Sequence, residues 1–204
     1  MKLQWITLGS LAWSNWKNGR GRTQEIAIWP PGASLQSPSM AWRLARAECA
    51  QPGPFSSFPG YDRYLMPLGG SLLLQHGSVG AAHRVRATEC CAFAGEWPTQ
   101  VALPEGPTCD LNLLVARGLW TGSLAWLPLG RRRWLEEVES GHLVLHLVAG
   151  ALRVRASGEE EPRHLRSGDS LWLQEGRAGD VVELAGEQDD TALVLARITP
   201  VQAA

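Results

Sequence analysis

Lysine is almost missing from this 204-residue chain. Of 19 basic residues only Lys2 and Lys17 are lysines, so the positive charge is nearly all guanidinium. Base composition of the genome explains that bias as well as a preference for carboxylate ligands does. Long apolar runs are missing too: no segment reaches the roughly 18–20 consecutive apolar residues of a membrane-spanning helix. Residues 3–13 resemble a secretory leader only faintly, because Gln4, Thr7 and Ser10 interrupt them and no small-residue cleavage site follows. A cytoplasmic protein with no membrane partner is expected. Charge of one sign is lacking as well, since the net charge is -1. Residues 1–102 hold nine basic and five acidic groups, and residues 103–204 hold ten and fifteen. So mild an asymmetry makes no basic stripe, and no nucleic-acid partner is expected.

Motifs of the common chemistries are absent in turn. There is no His-x-His pair of the kind that puts two imidazoles on one strand face. His142 and His146 are four apart, which on a strand is one face but about 13 Å of separation. His76, His83 and His164 stand singly, so the histidines read as structural or exposed, and neither metal nor cofactor is expected. No Gly-x-Ser-x-Gly elbow is present, and Cys49, Cys90, Cys91 and Cys109 show no metal, redox or nucleophile spacing. They read as buried, reduced thiols. The glycine-rich run Asn18-Gly19-Arg20-Gly21-Arg22-Thr23 precedes a strand, so it reads as a hairpin loop and not as a phosphate cradle.

What is present is a succession of short strands. Twenty-two glycines and thirteen prolines break the chain into brief apolar runs, which argues against a helical bundle. Alternation or β-branched and aromatic runs predict strands over residues 23–29, 42–49, 64–68, 71–76, 83–88 and 111–117. Further strands are predicted over 120–127, 142–148, 151–156, 170–173, 180–185 and 191–198. The class is all-β. An internal echo stands out: Leu65, Leu68, Gly70, Leu72 and Leu74 match Leu145, Val148, Gly150, Leu152 and Val154 at a constant offset. A strand, a glycine turn and a strand, repeated, fit either two tandem barrels or the commonplace alternation of any β protein. A boundary is placed within 118–122, where the charge balance shifts. Residues 157–161 and the run Arg131–Arg133 read as solvated surface.

Two stretches are dense in chemistry. Gly53-Pro54-Phe55-Ser56-Ser57-Phe58-Pro59-Gly60-Tyr61-Asp62-Arg63 is a stiff loop entering a strand at Arg63. An inward arginine there wants a carboxylate, from a neighbour such as Asp62 or from a ligand. Gly106-Pro107-Thr108-Cys109-Asp110-Leu111-Asn112-Leu113 enters a second strand, and Asn112 offers both a donor and an acceptor. Asp110 reads equally as an Asx turn.

These stretches carry a resemblance. In order, the chain shows Trp16-x-Asn18-Gly19-x-Gly21-x-Thr23-x-Glu25, Trp42-Arg43-Leu44, Gly53-Pro54-Phe55-Ser56 and Phe58-Pro59-Gly60. Asp62-Arg63, Phe93-x-Gly95 and Gly106-Pro107 with Asp110-Leu111-Asn112-Leu113 follow. The series is similar to the HutD/Ves family, small bicupin proteins associated with bacterial histidine utilisation. The second half resembles only a degenerate cupin repeat, through Gly150 and Gly168-Asp169. Arg20 and Ala45 depart from the glycine and serine the family tends to have.

The resemblance implies a bicupin of two tandem cupin-like barrels or sandwiches sharing an interface. Residues 1–119 would carry the family motifs and residues 120–204 the degenerate repeat. It implies a metal-free, cofactor-free pocket in the first barrel that binds a small carboxylate intermediate of histidine breakdown, formylglutamate or urocanate, and a regulatory role. Arg63 is then the anion anchor, Asn112 and Ser56 orient the ligand, and Trp42 and Phe55 are apolar walls. Phe58, Asp62 and Thr23 complete the set. A homodimer is compatible with this reading. The alternative is a small metal-independent isomerase or hydrolase of a formylated or cyclic amino-acid derivative, using Asp62 or Asp110 as acid–base group.

Overall fold

In the computed structural model, which describes residues 1–77 and 81–201, the chain is all-β. Among the described residues the only helical element is the 3-10 turn Leu8–Ser10. In chain order the strands are β1 (Lys2–Ile6), β2 (Trp13–Asn15), β3 (Gly21–Trp29), β4 (Trp42–Cys49), β5 (Gly53–Pro54), β6 (Tyr61–Pro67) and β7 (Ser71–His76). Next come β8 (His83–Arg86), β9 (Cys91–Ala94), β10 (Thr99–Ala102), β11 (Thr108–Ala116), β12 (Trp120–Pro128) and β13 (Arg133–Val138). The last are β14 (Gly141–Ala149), β15 (Ala151–Ala156), β16 (Arg163–Arg166), β17 (Ser170–Gly176), β18 (Asp180–Gly186) and β19 (Ala192–Pro200). β4, β7 and β15 coincide with the runs read from alternation. In β15, Leu152, Val154 and Ala156 point inward while Arg153 and Arg155 are exposed, the period-2 pattern of a strand with one wet face.

The strands fall into two compact units, Leu11–Leu124 and Met1–Ser10 together with the chain from Ala125 onward. The sequence reading divides the chain at 119/120. Here the units part inside β12, and the first ten residues join the second unit because β1 pairs antiparallel with β17, Trp5 opposite Leu171.

Each unit is an open two-sheet sandwich, not a closed barrel. The first has a six-stranded sheet ordered β2-β3-β4-β11-β6-β9 and a four-stranded sheet ordered β5-β10-β7-β8. Between them lie Cys49, Leu65 and Phe93 from one sheet and Leu72, Leu74, Val85 and Val101 from the other. The second unit pairs the sheet β1-β17-β14-β19-β12 with β13-β18-β15-β16. Leu145, Leu171 and Leu193 meet Leu152, Val154 and Val182 there. Each fully buried leucine or valine contributes about 1.5–3 kcal/mol relative to an exposed one, so these layers dominate the stability of both units.

The echo in the sequence maps onto one device used twice. β6 leads through Gly70 into β7, and β14 through Gly150 into β15; in each case the chain passes from the larger sheet to the four-stranded one. Gly70 has φ +63° and Gly150 φ +76°, a left-handed backbone that glycine adopts without strain. Leu65, Leu72 and Leu74 are fully buried, as are their counterparts Leu145, Leu152 and Val154.

Candidate functional site

Register places a polar group inside the first sandwich. On β11, Asp110 lies opposite Ala47 of β4 and Pro67 of β6, and Asn112 opposite Ala45 and Leu65. Arg63 of β6 lies opposite Leu114 of β11 and Phe93 of β9. Residues directly opposite in an antiparallel pair share a face. Arg63, Asp110 and Asn112 therefore project toward the interior with Leu65 and Phe93. The small side chains of Ala45 and Ala47, both buried, flank them on β4.

The three side chains form a chain of hydrogen bonds. Arg63 donates from Nε, at 2.8 Å, and from Nη2 to the same oxygen, Oδ1 of Asn112. Asn112 in turn donates from Nδ2 to Oδ1 of Asp110. The guanidinium carbon packs 4.2 Å from the centroid of the Phe55 ring and 5.5 Å from that of Phe93, a cation–π sandwich. Phe55 is held by its own N–H, which donates to the carbonyl of Thr99 at 2.9 Å. Burial pushes the Asp110 carboxyl up to about 7 against the opposing pull of Arg63 and Asn112. It also pulls Arg63 down to about 10, with Asp110 acting the other way. Oδ2 of Asp110 is buried without a hydrogen-bond partner among the described residues. Nη1 of Arg63 likewise has no protein acceptor among them. The group thus offers one unused guanidinium edge and one carboxyl oxygen near neutrality, able to donate when protonated.

The other residues singled out in the sequence are dispersed. Trp42 lies opposite Val115, one residue out of phase with Arg63's face, and is fully buried on the other side of the sheet. Asp62 is on that other face too. There it accepts from Nε of Arg117 at 2.7 Å, and Glu96 bonds the same guanidinium. The partner expected of Asp62 for Arg63 is therefore supplied by Asn112 and Asp110. Ser56 is exposed on the loop after Phe55, and Phe58 is half-buried with its N–H donating to Gly95. Thr23 points inward from β3, opposite Ala47, and its hydroxyl accepts from Nε1 of Trp16 at 2.7 Å.

A second inward cluster escaped the sequence reading. His76 ends β7 on the face of Leu72 and Leu74, and His83 on β8 lies opposite Leu74. Cys91 opens β9 opposite Leu65. One donor atom from each of the three lies within 4.8 Å of the others, and Nε2 of His83 is 3.2 Å from Sγ of Cys91. The signal was not periodic: two strands of one sheet and one of the other contribute one residue each. Of the four free cysteines only Cys49 is fully buried; Cys90 is exposed. In the second unit His142 and His146 share a face of β14, both buried. Trp172 donates to Nδ1 of His142 at 3.3 Å, and Nδ1 of His146 bonds Ser170 at 2.9 Å.

This pair of open β-sandwiches is the cupin type of architecture. The pirin YhhW of Escherichia coli has the same fold, with a TM-score of 0.69, 10% identity and 100% of each chain covered. The family is defined more closely by sequence. The HutD family model matches residues 10–193, and the chain belongs to that family. A protein from the hutC 3' region of Pseudomonas putida is 30% identical over 150 residues, covering 72% of this chain and 75% of that one. Protein Ves of Citrobacter koseri is 33% identical over 103 residues, covering 50% of this chain and 52% of that protein. The chain thus spans about half the length of the Ves relatives it matches. Among solved structures, a conserved protein of unknown function from Pseudomonas aeruginosa has a TM-score of 0.84 at 27% identity, with 98% and 100% coverage. HutD from Pseudomonas fluorescens, in a formate condition, has a TM-score of 0.77 at 25% identity, again with 98% and 100% coverage.

Proposed function

We propose that this protein binds a small carboxylate between the sheets of its first unit and thereby regulates histidine utilisation in the cytoplasm. The observation that carries the reading is the buried Arg63, whose Nε and Nη2 are held by Asn112 while Nη1 is left without a protein acceptor. A carboxylate there gains a charge-assisted bond to a guanidinium already held in place by Asn112. Membership of the HutD family supports the link to histidine utilisation. Formylglutamate and urocanate are the ligands of choice, since each carries a carboxylate. With no basic stripe for nucleic acid, the protein acts through a partner or by sequestering the intermediate. Calorimetric titration with N-formylglutamate, urocanate and their uncharged amides tests this. The acids should bind and the amides should not; equal binding of acid and amide overturns it.

One observation favours a second reading. Asp110, with a free Oδ2 and a carboxyl titrating at about 7, has the properties of a general acid–base group. A metal-independent isomerase or hydrolase of a formylated or cyclic amino-acid derivative would use it. NMR of both compounds incubated with the protein decides: product formation lost in Asp110→Asn favours the enzyme, and unchanged compounds favour the binder.

A further inference from the structure

We infer that His76, His83 and Cys91 form a binding site for one zinc(II) ion at the edge of the first sandwich, where β8 and β9 are the outermost strands of their sheets. The inference is independent of the carboxylate reading. Its geometry comes from three strands: the hairpin partners β7 and β8 bring in two imidazoles, and β9 of the opposite sheet brings in the thiol.

The donors are of the right kind and nearly in place. Imidazole nitrogen and thiolate sulfur are the preferred ligands of zinc, with bonds of about 2.0–2.3 Å. A tetrahedral ion with such bonds sets donors roughly 3.3–3.6 Å apart. Nε2 of His83 and Sγ of Cys91 are already at 3.2 Å, and all three donors fall within 4.8 Å. His83 is exposed and His76 and Cys91 half-buried, so an ion can enter and a short side-chain adjustment closes the set.

His76 is also prepared as a ligand by its surroundings. The single proton of the Thr99 hydroxyl is donated to the carbonyl of Trp97 at 3.0 Å. Thr99 must therefore accept in its 2.9 Å contact with Nδ1 of His76, which puts the imidazole proton on Nδ1. Nε2 of His76 is left with its lone pair. A histidine oriented through its other nitrogen by a buried hydroxyl is the usual outer support of a zinc ligand. The Phe93 ring, 4.7 Å from that of His76, and the Trp97 ring, 5.2 Å away, fix the imidazole on two further sides.

Three protein ligands leave a fourth position for water or a small ligand, the arrangement of reactive zinc sites. The Phe93 ring lies 4.7 Å from that of His76 and 5.5 Å from the Arg63 guanidinium carbon, so the ion and the anion anchor flank one aromatic ring.

Cobalt(II) titration of the tag-free protein tests the site, with zinc competition to follow. The wild type should take up one cobalt per chain, with visible bands of tetrahedral intensity and a near-ultraviolet sulfur-to-cobalt charge-transfer band, all displaced by zinc. Cys91→Ser should abolish the charge-transfer band while Cys90→Ser keeps it. His83→Ala should weaken binding at least tenfold. Thr99→Val should weaken it roughly 10- to 100-fold through loss of the outer hydrogen bond. Circular dichroism melts confirm that each variant is folded, and His83, being exposed, is the variant least able to disturb the fold. No stoichiometric uptake, a cobalt spectrum without the sulfur band, or binding unchanged in His83→Ala overturns the site.

Discussion

One oxygen of Asn112 holds Arg63: Oδ1 accepts from both Nε and Nη2 of the guanidinium, while the amide nitrogen reaches on to Asp110. Asn112 therefore spends its donor and its acceptor inside the protein, as the link between a buried cation and a buried acid. Its replacement by alanine leaves both without their direct partner. Asn112→Ala should destabilise the protein by about 2 kcal/mol, in the range for a hydrogen bond to a charged group. Urea denaturation followed by tryptophan fluorescence checks it; a change below about 0.5 kcal/mol would show that Arg63 has other support.

Arg63 itself should decide anion affinity. Arg63→Ala should weaken carboxylate binding tenfold or more, since a charge-assisted bond contributes about 1.5–3 kcal/mol. Arg63→Lys should recover only part, because an ammonium cannot donate in the planar two-pronged arrangement Asn112 receives. Titration calorimetry on both variants, with melting curves beside it, separates loss of the site from loss of the fold.

Asp110 should make that affinity depend on pH. Its folded pKa is raised from 3.8 to about 7, so the carboxyl is neutral below 7 and charged above. The raised value also means that its contribution to stability is fully present below 3.8 and is lost as pH rises through about 7. A carboxylate ligand beside Arg63 is repelled by the ionised form. Affinity should fall as pH goes from 6 to 8, and Asp110→Asn should flatten the profile; an equally steep profile in that variant would count against this role.

The second unit should respond to acid instead. Burial lowers His142 from 6.5 to about 4, so its contribution is present above 6.5 and is lost as pH falls toward 4. His142→Gln should lose less stability than wild type between pH 6.5 and 4, measured as the difference between their denaturation midpoints at each pH.

The two corner glycines offer an internal control. Alanine at either must adopt a positive φ, a strain of about 1 kcal/mol. At Gly70 a Cβ would find its nearest neighbour at 3.7 Å, whereas at Gly150 it would meet the Thr191 backbone at 2.7 Å. Gly150→Ala should thus lower the melting temperature clearly more than Gly70→Ala.

The fold was legible where polar residues alternate with apolar ones or an apolar run is bounded by turn residues, as in β15 with its exposed Arg153 and Arg155 and in β7 with Leu72–Leu74 between Gly70 and Gly77. β1, β2, β5, β9, β10, β13 and β16 were not predicted. β1 is five residues long and its pairing lies some 170 residues away, and β9 is four residues whose neighbours on both sides are turns. Arg63 was legible because charge in an apolar strand demands a partner. The reading left that partner open between a neighbour such as Asp62 and a ligand; adjacent residues on a strand face opposite ways, and only register reveals Asn112. His76, His83 and Cys91 carry no pattern along the chain, and they meet only once two sheets are stacked.

One strand waits long for its partner. β1 is complete at Ile6, but β17, the strand it pairs with, is complete only at Gly176. At about 5–20 residues per second the wait is roughly 8–30 seconds. The strands of Leu11–Leu124 are all synthesised within that interval, and they have their own partners. During synthesis, then, Lys2–Ile6 trails from a unit to which it does not belong, a strand with one apolar face waiting for its edge. It is in that interval that a chaperone, or another nascent chain, has its opportunity to take the place of β17.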